Sequence, residues 1–546
     1  MRKKYMVKGL AGVLLLCFLL TALGGCGGSG DGKASGGEAS ATGEVNTEGF
    51  PIVKEPIQLK FVGMQTPVQA DLNEIKILKQ FEEKSGIDIE WTCVPAEFVS
   101  ERRNIMMASG EGLPDAFFKM QFSAPEVSKY GSQGMFIPMN DLIDAYAPNI
   151  KATLDEWADV KAGLTMPNGN IYSLGYVLAA TPITSGVKFF FNQEALDMAK
   201  QKLPTTLEEF ADVLRAFKGL DYNGNGQNDE VPYTNSDPTS LDALLKGSFG
   251  LGTRGNGHPY VDMDPKTNAL RFLPATEEYK AMWQYLADLY QEGLIDQELF
   301  TMDMPKLIAK GEEGRALSYS FVNHSIIGTA YSAKSIGLSQ PLAGDSKYGE
   351  PIAATAGSAL SGVGNFVITK DNKHPEATMR WADYWFSDEG IREYFMGIEG
   401  ETYEVTADGS YEYNDFVMHN PDGIMFEQVL GSYVPWAGGA NPSIANEKYF
   451  KGGEMQGVSK ESAMALEKYR PKIIWPGFLW DEADNDDMLT IKTDLDTYIN
   501  ENRALFLTGK RSFDEWDDYV KGFDNMQLKR FMEIYENTYK RYEPQS

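Results

Sequence analysis

The sequence predicts an α/β body built as two lobes with a helical C-terminal region, and three observations carry that expectation. From Phe50 onward the chain runs for about 500 residues, too many for one core, which points to two lobes or three subdomains. Ile57 to Val62 reads as a strand, Leu72 to Phe81 as a helix and Ile87 to Val94 as a second strand. Strand, helix and strand at that spacing form a βαβ unit. From Asp494 through Arg541 the pattern is largely helical.

The elements between follow from local signals. A helix is expected around Glu101 to Ala108, before the turn at Gly110 to Asp115. Thr206 with Glu209 makes a capping-box signature, and Leu207, Phe210, Leu214 and Phe217 form one apolar stripe behind it. Thr276 is placed to cap a helix carrying Tyr279, Met282, Trp283, Leu286 and Tyr290, with Gly293 at its end. Pro375 starts a third, with Met379, Ala382 and Phe386 in its stripe. Lys188 to Phe191 and Asn365 to Ile368 are β-like. No fixed-period repeat and no heptad run is present.

The first 26 residues address the chain outside the cytoplasm. Arg2, Lys3, Lys4 and Lys8 form a positive stub, and Leu10 to Leu23 an apolar run. That run matches the roughly 7–15 residues of a secretory leader and is too short for the ~20 of a membrane span. Leu23-Gly24-Gly25-Cys26 then resembles the lipobox of bacterial lipoproteins, which implies cleavage after residue 25 and acylation of Cys26 as a membrane anchor. Residues 26–50 are Gly-, Ser-, Ala-, Glu- and Thr-rich, cannot bury a core, and read as a flexible tether.

Charge and cysteine content narrow the partners. The net charge of −28 becomes −32 once the four positive residues of the leader are removed. Nucleic-acid binding depends on Lys and Arg, so nucleic acid is not expected as a partner, and the membrane is expected only through the lipid. Of three cysteines, Cys17 lies in the leader, Cys26 takes the lipid and Cys93 is alone. The mature body is therefore expected to lack an internal disulfide, with Cys93 as a small buried hydrophobe.

One segment has metal-ligand spacing. From Asp221 to Glu230, oxygen side chains fall at loop positions 1, 3, 5, 9 and 10, with Gly226 at position 6. Gln227 adds a backbone carbonyl at position 7. A hard cation such as Ca²⁺ takes six to eight oxygens, and the sixth-position glycine permits the sharp turn. Position 12 is Pro232 in place of the bidentate Glu of a regular EF-hand, so Asp229 and Glu230 would have to close the site. Asn-Gly-Asn-Gly also occurs as a plain turn, but the ligand spacing favours the calcium reading.

The order of several segments resembles the extracellular solute-binding proteins, family 1, of carbohydrate ABC importers, in their long LipO-like lipoprotein branch. The matching stretches are Ser109 to Asp115, Leu142 to Ile150, Leu203 to Phe210, Leu289 to Asp296, Phe386 to Gly390 with Gly397 to Gly400, and Thr493 to Ile499 with Phe506 to Gly509. The resemblance implies a periplasmic-binding-protein-like fold, two α/β lobes joined by hinge strands and closing over a ligand. It places residues 51–180 and 331–400 in the first lobe, and 181–330 and 401–546 in the second. In alginate-binding relatives the segment matching Asp221, Asn223, Asn225, Gln227, Asp229 and Glu230 is a shortened calcium loop. The implied partners are a carbohydrate, expected to be an oligosaccharide, and the permease subunits of an ABC transporter, with the chain itself a monomer.

Sugars offer flat C–H faces to aromatic rings and hydroxyl rims to polar groups. Trp283, Trp381 and Trp385 lie on helical stripes and are expected in the core. Trp436, Trp475 and Trp480 lie in Gly- and Pro-rich loops and are candidate ligand contacts. Tyr176, near the first expected lobe crossing, is another, as are Asp115 and Glu399 within the matching motifs. Four histidines, at 258, 324, 374 and 419, form no H-E-x-x-H pair, and neither a G-x-S-x-G elbow nor a P-loop is present. No catalytic residue is therefore assigned. The chain is expected to bind without turnover. The carboxylates leave a lipid-anchored carbohydrate-active enzyme as the alternative.

Overall fold

A computed structural model describes residues 45–542, all within one compact unit that spans 42–546. The leader, Cys26 and most of the tether lie outside the described residues. The strands that matter here are β1 (Ile57–Gln65), β2 (Ile87–Pro95), β3 (Ala116–Phe122), β4 (Leu174–Ala179), β5 (Lys188–Asn192), β6 (Ser318–Phe321), β7 (Ser335–Gly337), β8 (Leu360–Ile368) and β9 (Ile444–Asn446).

Six of them form the first sheet, in the order β9-β4-β8-β3-β1-β2. β1 pairs parallel with both β2 and β3, β8 runs antiparallel between β3 and β4, and β9 joins β4 in parallel. The expected βαβ unit is present, with helix Lys76–Ser85 as its crossover. Gly86, at φ 76°, ends that helix in the left-handed region and returns its amide to Glu82 O. β5 is the centre of a second sheet, β6-β5-β7, antiparallel on both sides.

The expected helices form. Thr206 caps Leu207–Phe217 by accepting the Glu209 amide at 3.1 Å, and Thr276 caps Glu277–Gln291. Glu209 does not close the capping box on the Thr206 amide. Its carboxylate accepts from the amide and hydroxyl of Thr205, each at 2.7 Å. The C-terminal region contributes Glu482–Leu507, Trp516–Gly522 and Leu528–Tyr542.

Two large hydrophobic cores organise the body. The first surrounds Trp381 with the rings of Phe61, Trp91 and Phe118, and Trp385 packs beside it. The second surrounds Trp283 with Phe506, Trp516 and Tyr519. The ion pair from Arg503 to Asp242 Oδ2 at 2.8 Å is buried there, and Tyr279 and Trp283 donate to the same carboxylate. The three stripe tryptophans are thus core residues, as their spacing predicts.

The cores correct the expected boundaries. The first core takes residues from 52 to 180 and again from 360 to 455, and the second takes 189 to 342 and most of 475 to 535. Residues 401–455, expected in the second lobe, belong with the first. There β9 completes the first sheet, and the hairpin Tyr403–Val405/Tyr411–Tyr413 turns Tyr403 and Tyr413 inward. Cys93 also departs from expectation. It is only half-buried, and its thiol donates to Asp71 Oδ1 at 3.3 Å. Burial and that neighbouring carboxylate hold the thiol at about 11, so it is not a reactive thiolate.

Candidate ligand-binding cleft

In an open α/β sheet, ligands bind beyond the carboxyl ends of the strands, where neighbouring connections diverge. Here that point lies between β1 and β3, because the chain leaves β1 for β2 on one side and returns to β3 on the other. Gln65 ends the first strand, with Thr66 just beyond it, and Gln121 and Phe122 end the other. Lys119 and Gln121 both have positive φ, 61° and 54°. Such strain in non-glycine residues persists where surrounding contacts enforce it, often at binding sites.

What enforces it is a loop laid across the switch point. Lys119 is fully buried, and its ammonium donates to Pro435 O at 2.6 Å and Ala437 O at 3.1 Å. Gln69 Nε2 donates to the same Pro435 carbonyl at 2.6 Å. No carboxylate compensates the lysine, so burial pushes it down to about 7. Beside this loop opens a cavity of about 530 Å³. Gln121 to Ala124, the Ser361–Asn365 segment of β8, and Gly438 and Ala440 line it from the first core. Gly477, between Trp475 and Trp480, borders it from the segment that enters the second core.

The three loop tryptophans support this cavity and do not face it. Trp436, Trp475 and Trp480 are 6 %, 2 % and 7 % exposed. Trp436 donates its indole N–H to Phe395 O at 3.0 Å and packs on Phe450. Trp475 and Trp480 pack against Tyr539 and Tyr535 of the last helix. His258 bridges the same corner, donating Nε2–H to Pro476 O at 2.8 Å while Nδ1 accepts from the Tyr535 hydroxyl at 3.1 Å. Burial lowers that imidazole to about 4, so it is neutral. The expectation that these three rings stack on ligand is corrected for this conformation. Their loops look open only until the C-terminal helix closes over them.

Asp115 is corrected as well. It precedes β3, at the end of the sheet remote from the cleft, where Oδ2 accepts the Lys60 amide at 2.7 Å. Glu399 is exposed in the turn Gly397–Gly400, bridged to Tyr403. Tyr176, by contrast, lies buried on β4 beside Asn441, close to the point where the chain leaves the first core. Lys119 left one signal, a lone charged residue in the mostly apolar run Ala-Phe-Phe-Lys-Met-Gln-Phe.

The acidic loop lies apart, after helix Leu207–Phe217. Gly226 N donates to Asp221 Oδ2 at 3.1 Å, Asn225 N to Asn223 Oδ1 at 3.1 Å and Gln227 N to Asn225 Oδ1 at 2.7 Å. Gly224 and Gly226 have φ of 72° and 75°. Glu230 Oε1 accepts the amides of Tyr222 and Asn223, while its Oε2 is buried without a partner. Asp229 is engaged by Arg315 at 3.2 Å. Among the described residues no three His, Cys, Asp or Glu side chains stand together as a metal cluster. The donor chemistry nevertheless fits a hard cation through the Asn oxygens and the orphaned Glu230 oxygen.

Residues 76–401 match the model of the bacterial extracellular solute-binding proteins. The chain belongs to that family. It is 28 % identical over 508 residues to the fructooligosaccharide ABC transporter substrate-binding protein FusA of Streptococcus pneumoniae, covering 90 % of this chain and 92 % of FusA. Lipoprotein LipO of Bacillus subtilis is 27 % identical over 43 % of this chain and 45 % of its own. The structure of FusA with kestose superposes with a TM-score of 0.74 at 25 % identity, covering 90 % of this chain and all of that one. Another FusA structure is of an EF-hand mutant. The alginate-binding protein AlgQ2, in a structure without calcium, has the same fold at a TM-score of 0.72 and 21 % identity, over 90 % of this chain and 100 % of its own. The two-lobe solute-binding architecture is therefore that of this chain.

Proposed function

We propose that this chain is the substrate-binding lipoprotein of a carbohydrate ABC importer, anchored outside the cell through Cys26. It captures an oligosaccharide between its lobes and delivers it to the permease subunits. The observation that carries this reading is the cavity beside the loop that crosses the β1/β3 switch point, bordered by segments of both cores. The near full-length likeness to FusA supports it. Gln121, Ser123 and Asn365 supply amide and hydroxyl groups to that cavity, the complement of a hydroxyl-rich ligand. The Asp221–Glu230 loop is a structural calcium site held by Asp221, Asn223, Asn225, Gln227, Asp229 and Glu230. It supplies cross-linking of the loop and no chemistry to the cleft.

The expected activity is binding without turnover. Calorimetric titration with kestose and other neutral trisaccharides, run beside an assay for released reducing ends, tests it. Binding of a sugar that stays intact is the predicted outcome. Steady release of reducing ends would instead establish the enzyme alternative.

A further inference from the structure

The chain passes between the two cores three times, and one side chain joins the three passages. The first passage runs from Ala180 of the first core to Phe189 of the second, and the next returns from Leu342 to Leu360. The last reaches the second core at Trp475 through residues 467–474. The first two passages are sewn together by their backbones. Gly357 N donates to Thr184 O at 2.8 Å, and Thr355 Oγ1 to Ser185 O at 3.0 Å. They lie so close that a Cβ on Gly186, itself at φ 67°, would collide with Thr355 O.

The last passage is tied more lightly. Among the described residues, 467–474 bond to the other two passages through Tyr469 O, which accepts the Ala353 amide at 2.8 Å, and through the Arg470 side chain. The guanidinium donates to Thr184 Oγ1 of the first passage at 2.7 Å and to Gly357 O of the second at 3.1 Å. Glu467 Oε2, at 3.3 Å, holds it from its own segment. Beside it opens a cavity of about 440 Å³, bordered by Thr181, Thr184, Gly357, Ala359, Glu467 and Ile474, so by all three passages. They have room to turn against one another.

In this conformation the lobes also touch beside the cleft. Helix Ala124–Ser132 starts at the cleft cavity, and its Ser128 accepts from Asn485 Nδ2 at 2.8 Å at the head of helix Glu482–Leu507. Both residues are buried, and Lys129 pairs with Asp486 next to them at 3.2 Å. This is a closed arrangement. Rotating one lobe changes the distances between the passages, and a planar guanidinium holding acceptors on two of them tolerates little change.

We propose that Arg470 is a positioning residue for ligand capture. It clasps the three passages in the closed arrangement and so sets the fraction of free protein that is competent to bind. It borders the hinge cavity and not the cleft cavity, so it acts without touching ligand. This rests on the carbohydrate-binding reading above. The apparent dissociation constant is the intrinsic one divided by the competent fraction, so losing the clasp weakens every ligand by one common factor. A partly exposed hydrogen bond from a charged donor is worth about tenfold in such an equilibrium.

The test is calorimetric titration of wild type, R470M, T184V and the double variant with kestose, nystose and maltotriose, with circular dichroism confirming each fold. R470M is expected to bind every sugar that wild type binds about tenfold more weakly, by the same factor throughout. T184V is expected to lose a few-fold, and the double variant no more than R470M, because both changes break one contact. If R470M fails to fold, the loss in T184V carries the test. Unchanged affinities in the folded variants, which a purely structural role for Arg470 would give, overturn the proposal. Tighter binding, a factor that differs between sugars, or additive losses do the same and leave the carbohydrate reading standing. A wild type that binds none of the three overturns that reading and this proposal together.

Discussion

Lys119 does at the residue scale what no loop residue could do alone. It buries an ammonium to hold two carbonyls of the loop that crosses the switch point. K119M leaves both carbonyls without that donor and is expected to cost about 1–3 kcal/mol. The effect depends on pH with a definite sign. The folded ammonium sits at about 7 against 10.5 when free, so between those values the unfolded chain binds the extra proton. Wild-type stability relative to K119M should therefore rise as pH goes from 7 to 9.5. Urea unfolding of both proteins at several pH values checks this, and a gap that shrinks with rising pH would refute the assignment. A lone lysine in an apolar strand was visible in the sequence. Its acceptors, more than 300 residues away, were not. The same distance explains the tryptophans: Trp475 and Trp480 sit in a Pro-Gly loop whose cover, Tyr535 and Tyr539, comes from the last helix.

At the scale of elements, local signals were read well because local physics decides them. Thr206 and Thr276 cap the helices expected of them, and Gly86 ends the first crossover helix. The Asp221–Glu230 loop is also local, and its Asn and Asp oxygens already turn inward onto the loop's own amides. With calcium bound there, a chelator should lower the melting temperature of wild type. D221A should melt lower in calcium and respond little to the chelator, since bound ligand stabilises only the state that binds it. A wild-type melting curve that EDTA leaves unmoved would remove the site. Asp115 was misplaced for a non-local reason: its motif is plain in the sequence, but the direction of β3 puts it at the wrong end of the sheet.

At the scale of the whole molecule, length and the βαβ pattern pointed to an α/β body of two lobes or three subdomains, and the resemblance implied two lobes, whereas neither placed the crossing points. Tyr403, Tyr413 and Ala445 are buried, and strand pairing decides in which core they lie. With groups from both lobes lining one space, a ligand that touches both binds the closed form better and shifts the population toward it. Small-angle scattering on the purified protein, with and without a saturating neutral oligosaccharide shown by calorimetry to bind, tests that most directly. The radius of gyration is predicted to fall on saturation. An identical scattering profile in the two states would contradict a clamp that closes on its ligand.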